Sequence, residues 1–376
     1  MASRPSPRCS LREAIDFAYP ELAALRDTSP PAYLVGGAVR DLLRGHPGSD
    51  IDLVVIGEPE GVAAALGIEL QSTHDRFGTA KARLEGHELD IARAREESYP
   101  SPGALPVVRA AATIEADLAR RDFSINAMAI PLDSAADLVD PNGGAADLER
   151  GLLRVLHDAS FADDPTRALR AARYAARFGF ELDPRTERLL RATELETVSA
   201  DRRNAELLRL AGEAGAPHGF ELLAGWGMLR LRDGGVELAR AVAELMTRAQ
   251  WEELAPREQA VLAAALAPPG GEVELARAEP ARPSQAVELA RGRSPIELIL
   301  ARALGAEWLD RYLAQWRHVA LEIDGEALLE AGVQKGPAVG HGLREALRRK
   351  LDGELAGPDE ELRAALEGAG ENDEVA

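Results

Sequence analysis

Tyr33-Leu34-Val35-Gly36-Gly37-Ala38-Val39-Arg40-Asp41 joins a short apolar run to a helix-like stretch through two glycines. Such a strand-to-helix turn lets backbone N–H groups approach a phosphate, with the helix N-terminus adding a positive dipole and Arg40 standing one turn on. The spacing is neither the eight-residue P-loop nor a dinucleotide fingerprint, and a bare Gly-Gly is more often just a turn. Asp50-Ile51-Asp52 opens the next apolar run. In a strand both carboxylates project from one face, close enough to hold the same divalent cations. Asp90, between Leu89 and Ile91, offers a third acid. Three acids, a phosphate-binding turn and no nucleophilic Cys or Ser constellation point to two-metal phosphoryl or nucleotidyl transfer.

The elements that must position these residues are legible as apolar runs and periodicities. Strands are predicted over 33–35, 51–56, 79–84 and 88–93, helices over 38–43 and 60–66, and a first helix over 11–25 interrupted at Pro20. Beyond Asp147 the chain reads almost wholly helical, rich in Ala, Leu, Arg and Glu, with breakers at Asp183-Pro184, 215–217, 233–235, 268–271 and 336–337. The expected fold class is α+β: a head of mixed β-sheet with helices, followed by all-α parts.

The 376 residues are ample for a core without staples, and no apolar run of about 20 residues marks a membrane span. The N-terminus shows no apolar signal region, so the expected location is cytoplasmic. A single cysteine, Cys9, excludes an intramolecular disulfide and a cysteine-rich zinc site. The net charge of −19 argues against nucleic acid as a partner, but binding depends on a local patch. Nine acids crowd 351–376, whereas residues 150–210 carry twelve arginines against ten acids.

Taken together, the motifs resemble the class II tRNA nucleotidyltransferase/poly(A) polymerase family. Gly36-Gly37-x-x-Arg40-Asp41 with Asp50-x-Asp52 looks like its first motif, and Arg120-Arg121-Asp122-Phe123-Ser124-Ile125-Asn126-Ala127 its second. Asp140-Pro141-Asn142-Gly143-Gly144-x-x-Asp147-Leu148 is similar to the third, and Asp163-Asp164-Pro165-x-Arg167-x-x-Arg170-x-x-Arg173-Tyr174 to the fourth. Val198-Ser199-Ala200-Asp201-Arg202-x-x-x-Glu206-Leu207 is a weaker match to the fifth.

The resemblance implies a catalytic head over 30–147 behind an N-terminal tail and helix (1–29). After the head it implies a helical neck with base recognition (148–212), a body (213–300) and a tRNA-binding tail with an acidic terminus (301–376). By carry-over Asp50 and Asp52 hold Mg²⁺, Asp90 is the third catalytic acid, and Gly36, Gly37 and Arg40 face the triphosphate. Arg121 contacts the nucleotide, and Asp122 and Asn126 help read the ribose. Asp164 and Arg167 pair with the base edge of CTP or ATP, supported by Arg170 and Arg173. The partners implied are CTP, ATP and the acceptor end of tRNA, with no membrane; no protein partner is indicated.

The physical chemistry of the fourth motif agrees. Arg167, Arg170, Arg173 and Arg177 fall on one helix face at about 100° per residue, and Asp164 stands three residues before Arg167, able to fix its guanidinium by a charge-assisted hydrogen bond. An isolated stripe of this kind would be a solvated face. Asp163 replaces the family's usual Glu, Ser124 its Thr, and Arg203 an aliphatic residue.

Other features read as structural. His74-Asp75 and His157-Asp158 lack the further ligands of a metal-dependent phosphohydrolase, and Trp226, Trp251, Trp308 and Trp316 suit helix packing. Arg95 to Tyr99 and the Pro/Gly stretch to Pro106 resemble the family's flexible loop. The expected activity is addition of the 3′-terminal CCA to tRNA, with CC-only or A-only addition and poly(A) synthesis left open, and a silent tRNA-binding protein as a remote alternative.

Overall fold

Six strands build the sheet that carries the site. They are β1 (Ala32–Val35), β2 (Asp50–Val55), β3 (Ser72–His74), β4 (Thr79–Leu84), β5 (His87–Arg93) and, after the separate hairpin β6 (Arg95–Ser98) and β7 (Val107–Ala110), β8 (Ala129–Pro131). Their order is β3-β4-β5-β2-β1-β8, with only β2 and β5 parallel. The computed structural model describes residues 10–28, 31–70, 72–74, 79–133 and 135–370. Cys9, Asp75 and residues 371–376 lie outside them. The chain divides into two compact units, 1–229 and 230–376. The body read from the sequence, 213–300, straddles that division.

Alternation in β2 separates a packed face from a working face. Ile51, Leu53 and Val55 join Leu34, Leu89 and Ile91 in a core closed by α1 (Leu11–Ala18), the 3-10 turn Pro20–Leu25, α2 (Gly36–Leu43) and α3 (Glu60–Leu66). Full burial of Ile15, Leu22 and Leu25 contributes roughly 1.5–3 kcal/mol per side chain. The other face receives Val54 and Ala92, packed on Ile114 and Leu118 of α4 (Ile114–Ala119), and at its open end Asp50, Asp52 and Asp90. Ser10 and Thr113 cap α1 and α4 as their side-chain chemistry requires.

After α5 (Gly144–Arg150) the first unit becomes mainly helical, though not wholly as expected. The short strands β9 (Leu152–Leu153) and β10 (Glu181–Leu182) pair in parallel around α6 (Ser160–Asp163) and α7 (Thr166–Phe178). α8 (Pro184–Arg191), α9 (Ala200–Gly212) and α10 (Ala216–Gly225) complete the unit. Asp183-Pro184, read as a breaker, starts α8: the Asp183 side chain accepts the Arg185 and Thr186 N–H groups, and Pro184 takes the first helical position. The second unit is helical from Gly235–Leu245 to Pro358–Gly370. Trp251 is fully buried there and donates to Asp310 at 3.0 Å, a packing role. Among the described residues no helix is long and apolar enough to cross a membrane.

Candidate active site

The second glycine turn residue and the second acid converge with two arginines. Gly36 adopts φ +64°, and a Cβ on it would stand 2.6 Å from Arg121 Nη1; one on Gly37 would stand 3.5 Å from Arg40 Nη2 and 3.8 Å from Asp52 Oδ2. Only glycine keeps both the left-handed turn and the close approach of a guanidinium. Around this point lies a cleft of about 380 Å³ lined by Gly36, Gly37, Asp52, Asn126, Tyr99, Tyr174 and by eight arginines (Arg40, Arg95, Arg120, Arg121, Arg167, Arg170, Arg173 and Arg177) against the acids Asp52, Glu97, Asp122 and Asp164. A chain of net charge −19 thus concentrates arginines in one cavity, whose local field favours an anion.

The acids of the sheet take the expected face. Parallel pairing sets Asp52 opposite Asp90, two residues beyond Asp50. Burial pushes the Asp52 carboxyl up; Arg121 opposes this, while Asp90 and Asp50 push it further and Arg40 pulls down. Asp90 is exposed and paired with Lys81 at 3.1 Å, outside the cleft lining. Asp50 is exposed and accepts from Ser49 at 3.1 Å. Among the described residues no group of three or more His, Cys, Asp or Glu is drawn together tightly enough to hold a metal ion.

The second motif is built as one hydrogen-bonded knot. Arg40, 4% exposed, donates to Asp41 and, at 2.6 Å, to Asn126 Oδ1. Asn126 Nδ2 donates to Asp122 Oδ1 at 3.0 Å, and Asp122 Oδ2 pairs with Arg170 at 2.7 Å. Burial would raise the Asp122 carboxyl, but Arg170, Asn126, Arg167 and the Phe123 N–H outweigh it and hold it low. Arg40 also lies over the Phe178 ring at 4.6 Å and Arg173 over Tyr174 at 4.7 Å, so the α7 aromatics steady the arginine face.

That face is not the solvated stripe that an isolated sequence would suggest. Arg167 is 3% exposed and its Nη2 donates to the Arg120 carbonyl at 2.8 Å, while Nη1 is buried without a partner. An unsatisfied buried guanidinium nitrogen is costly unless a ligand acceptor reaches it. The expected side-chain bond between Asp164 and Arg167 does not form. Asp164 Oδ1 instead pairs with Arg202 Nη2 at 2.9 Å and accepts from Thr166 Oγ1 at 2.6 Å and the Thr166 N–H at 3.1 Å, because its residue ends α6 just ahead of α7. Both residues still line the cleft.

Two further observations concern neighbours of the motifs. Arg95–Ser98 and Val107–Ala110 pair as a hairpin, Arg95 opposite Ala110, where a flexible loop is expected. Asp158 pairs with Arg185 at 2.6 Å and burial lowers the His157 pKa, so that dipeptide is structural. Sequence reasoning passed over Asp117, which pairs with Arg120 and Arg121; its signal was the i,i+3 and i,i+4 spacing on a short helix.

The Poly A polymerase head domain matches residues 32–154. The CC-adding tRNA nucleotidyltransferase of Deinococcus radiodurans is 36% identical over 356 residues, covering 89% of each chain. The chain belongs to the tRNA nucleotidyltransferase/poly(A) polymerase family. Within that family, the A-adding enzyme of Halalkalibacterium halodurans is 47% identical over 204 residues and that of Geobacter sulfurreducens 31% over 414 residues. The chain spans about half the length of these A-adding relatives, 47% in each case. An apo CCA-adding enzyme superposes with TM-score 0.79 and 30% identity over 97% of this chain and 96% of its own. CCA-adding enzymes complexed with ATP and with CTP each give 0.76 at 28% identity, covering 97% and 96%. The Thermotoga maritima enzyme complexed with tRNA gives 0.72 at 28%, with the same coverage.

Proposed function

We propose that the protein builds the 3′-terminal CCA of tRNA from CTP and ATP, releasing pyrophosphate. The observation that carries this reading is the cleft itself, whose lining brings Asp52, the Gly36-Gly37 turn and Arg121 together with Asp164 and the half-satisfied Arg167. Family enzymes bound to CTP, ATP and tRNA support the substrate assignment.

The donor set fits a hard divalent cation. Asp50 and Asp52 present carboxylate oxygens from one face, and Asp52 is destabilised as an anion by burial and by Asp90 and Asp50, the situation a bound cation relieves. Mg²⁺ held by Asp50 and Asp52 would supply Lewis-acid activation of the primer 3′-hydroxyl and charge neutralisation of the leaving pyrophosphate. Gly36, Gly37 and Arg121 seat the triphosphate, and Arg40 holds Asn126 and the turn in place. Asp122 and Asn126 face the ribose. Asp164, as acceptor, and Arg167, as donor, complement the base edge, with Arg170 and Arg173 bracing them. Asp90 completes the acidic face. The second unit and the helical part of the first would grip the tRNA acceptor end in the cytoplasm.

CC-only addition is the second reading, favoured by the relative matched over nearly its full length. The test is single-nucleotide extension of tRNA ending at the discriminator base, at C or at CC, with CTP, ATP or both. Growth to CCA and no further establishes complete addition; stalling at CC, or activity on CC ends alone, establishes a partial adder. Continued addition of A marks a poly(A) polymerase, and no extension with any divalent metal leaves a tRNA-binding protein and overturns the enzyme reading.

A further inference from the structure

Asp117 belongs to none of the five motifs, yet it is the fully buried acid behind the arginine cleft. Its Oδ2 accepts from Arg121 Nη2 at 2.9 Å and from Nε at 3.3 Å. Its Oδ1 accepts from Arg120 Nη2 at 2.8 Å, from Arg120 Nε at 2.9 Å and from the Arg95 N–H at 3.1 Å. The Arg120 carbonyl, held in place by this grip, accepts from Arg167 Nη2 at 2.8 Å. One carboxylate therefore touches Arg121 directly and reaches Arg167 through a single intervening residue. Arg121 stands against the Gly36 turn, whereas Arg167, also in the cleft lining, keeps its Nη1 buried without a protein partner.

We propose that Asp117 is a positioning residue that sets the span between the phosphate-seating Arg121 and the base-reading Arg167. The inference rests on the nucleotidyl-transfer reading above. Each arginine side chain is long and has many rotamers, so two of them keep a fixed separation only if something rigid ties both. Asp117 is rigid because it is enclosed on α4 and its hydrogen bonds go to Arg120, to Arg121 and to the Arg95 N–H at the root of the β6–β7 hairpin. A residue that merely braced the hairpin would act on stability and not on the two ends of the nucleotide.

The test compares Asp117→Asn with wild type, using full-length protein well below either melting temperature. The nucleotide KM is expected to rise about tenfold, and selection of CTP over UTP to fall, with the tRNA KM unchanged. Binding of inorganic tripolyphosphate should weaken in parallel. In an Arg121→Ala background the same substitution should change tripolyphosphate affinity by less than about twofold, because the partner through which it acts is gone. Full additivity in that background, or wild-type nucleotide KM and selectivity, would overturn the proposal. If Asp117→Asn does not fold, Asp117→Glu carries the same measurements, and failure of both to fold assigns Asp117 to stability and overturns it as well. Absence of extension by the wild type strikes the enzyme reading instead, while the tripolyphosphate titration still decides the role of Asp117.

Discussion

Arg202 holds Asp164 and the tip of the β6–β7 hairpin with one guanidinium: Nη2 lies 2.9 Å from Asp164 Oδ1 and Nη1 donates to the Gly103 carbonyl at 2.8 Å. Gly103 is pinned in turn, with φ +71°, its N–H donating to the Ala162 carbonyl at 3.2 Å and the Thr197 carbonyl occupying the place of a side chain. The hairpin tip and the acid proposed to read the base thus share one support, itself set by the Ser199 cap of α9.

Removing that support should loosen base reading. A charge-assisted hydrogen bond contributes about 1.5–3 kcal/mol, so Arg202→Met is expected to lower kcat/KM for the correct nucleotide about 10- to 100-fold and to raise misincorporation. Steady-state single-nucleotide kinetics check it; unaltered selectivity would sink the shared-support argument.

Asp52 gives a pH-dependent signature. Its pKa is raised by burial and by Asp90 and Asp50 against the pull of Arg121 and Arg40. A carboxyl whose folded pKa exceeds its unfolded value stabilises the fold while protonated and loses that contribution as pH rises through the folded value. In chelator, Asp52→Asn should therefore melt above wild type at neutral pH, with the gap closing as the pH falls toward the ordinary carboxyl value of 3.8. Divalent metal should raise the melting temperature of wild type more than that of the variant. Asp52→Ala should abolish extension and leave tRNA affinity nearly intact, as primer-binding titrations would reveal.

Gly36→Ala meets both a left-handed backbone and Arg121 Nη1 at 2.6 Å. The backbone alone costs about 1–2 kcal/mol, and displacement of Arg121 should raise the nucleotide KM. Chemical denaturation together with nucleotide kinetics tests both parts. A variant equal to wild type in both would refute the close approach.

In the second unit Glu361 is fully buried, accepting the Glu322 N–H at 2.7 Å and Lys350 Nζ. Burial would raise its pKa, but Lys350 and the Glu322 and Ile323 N–H groups outweigh it and hold it below 4.5. The stabilisation is present above the unfolded value and lost as pH falls through the depressed one. Glu361→Ala should cost about 1–3 kcal/mol, since it leaves two N–H groups without their acceptor while Lys350 keeps Glu322 as a partner. Denaturant titrations of the two proteins at neutral pH would measure this difference, which should narrow in acid.

Much of the head was legible because short apolar runs fix strands: 79–84 was read to the residue, and 33–35, 51–56 and 88–93 to within one. β8 escaped because Ala129-Ile130-Pro131 is three residues long and Pro-ended, and β6 because Arg95-Glu96-Glu97-Ser98 has no apolar face. Spacing placed Asp50 and Asp52 on one face, since strand periodicity is local, whereas the β2–β5 register is what sets Asp90 beside them. Spacing misjudged the partner of Asp164, because Arg202 arrives from 38 residues away and no local pattern announces it. Asp117 was missed although its spacing to Arg120 and Arg121 is local, because such pairs are usually solvated and the complete burial of this one depends on how α4 packs.

The tethers in the cleft bear on the heat of nucleotide binding. Arg40, Arg121, Arg167 and Arg170 are each already fixed to a protein oxygen in the free protein. A free arginine side chain carries about 2 kcal/mol of rotamer entropy, which these four surrender on folding. A nucleotide entering the cleft meets donors that are already immobile, so its calorimetric signature should carry only a small entropic penalty from the protein side.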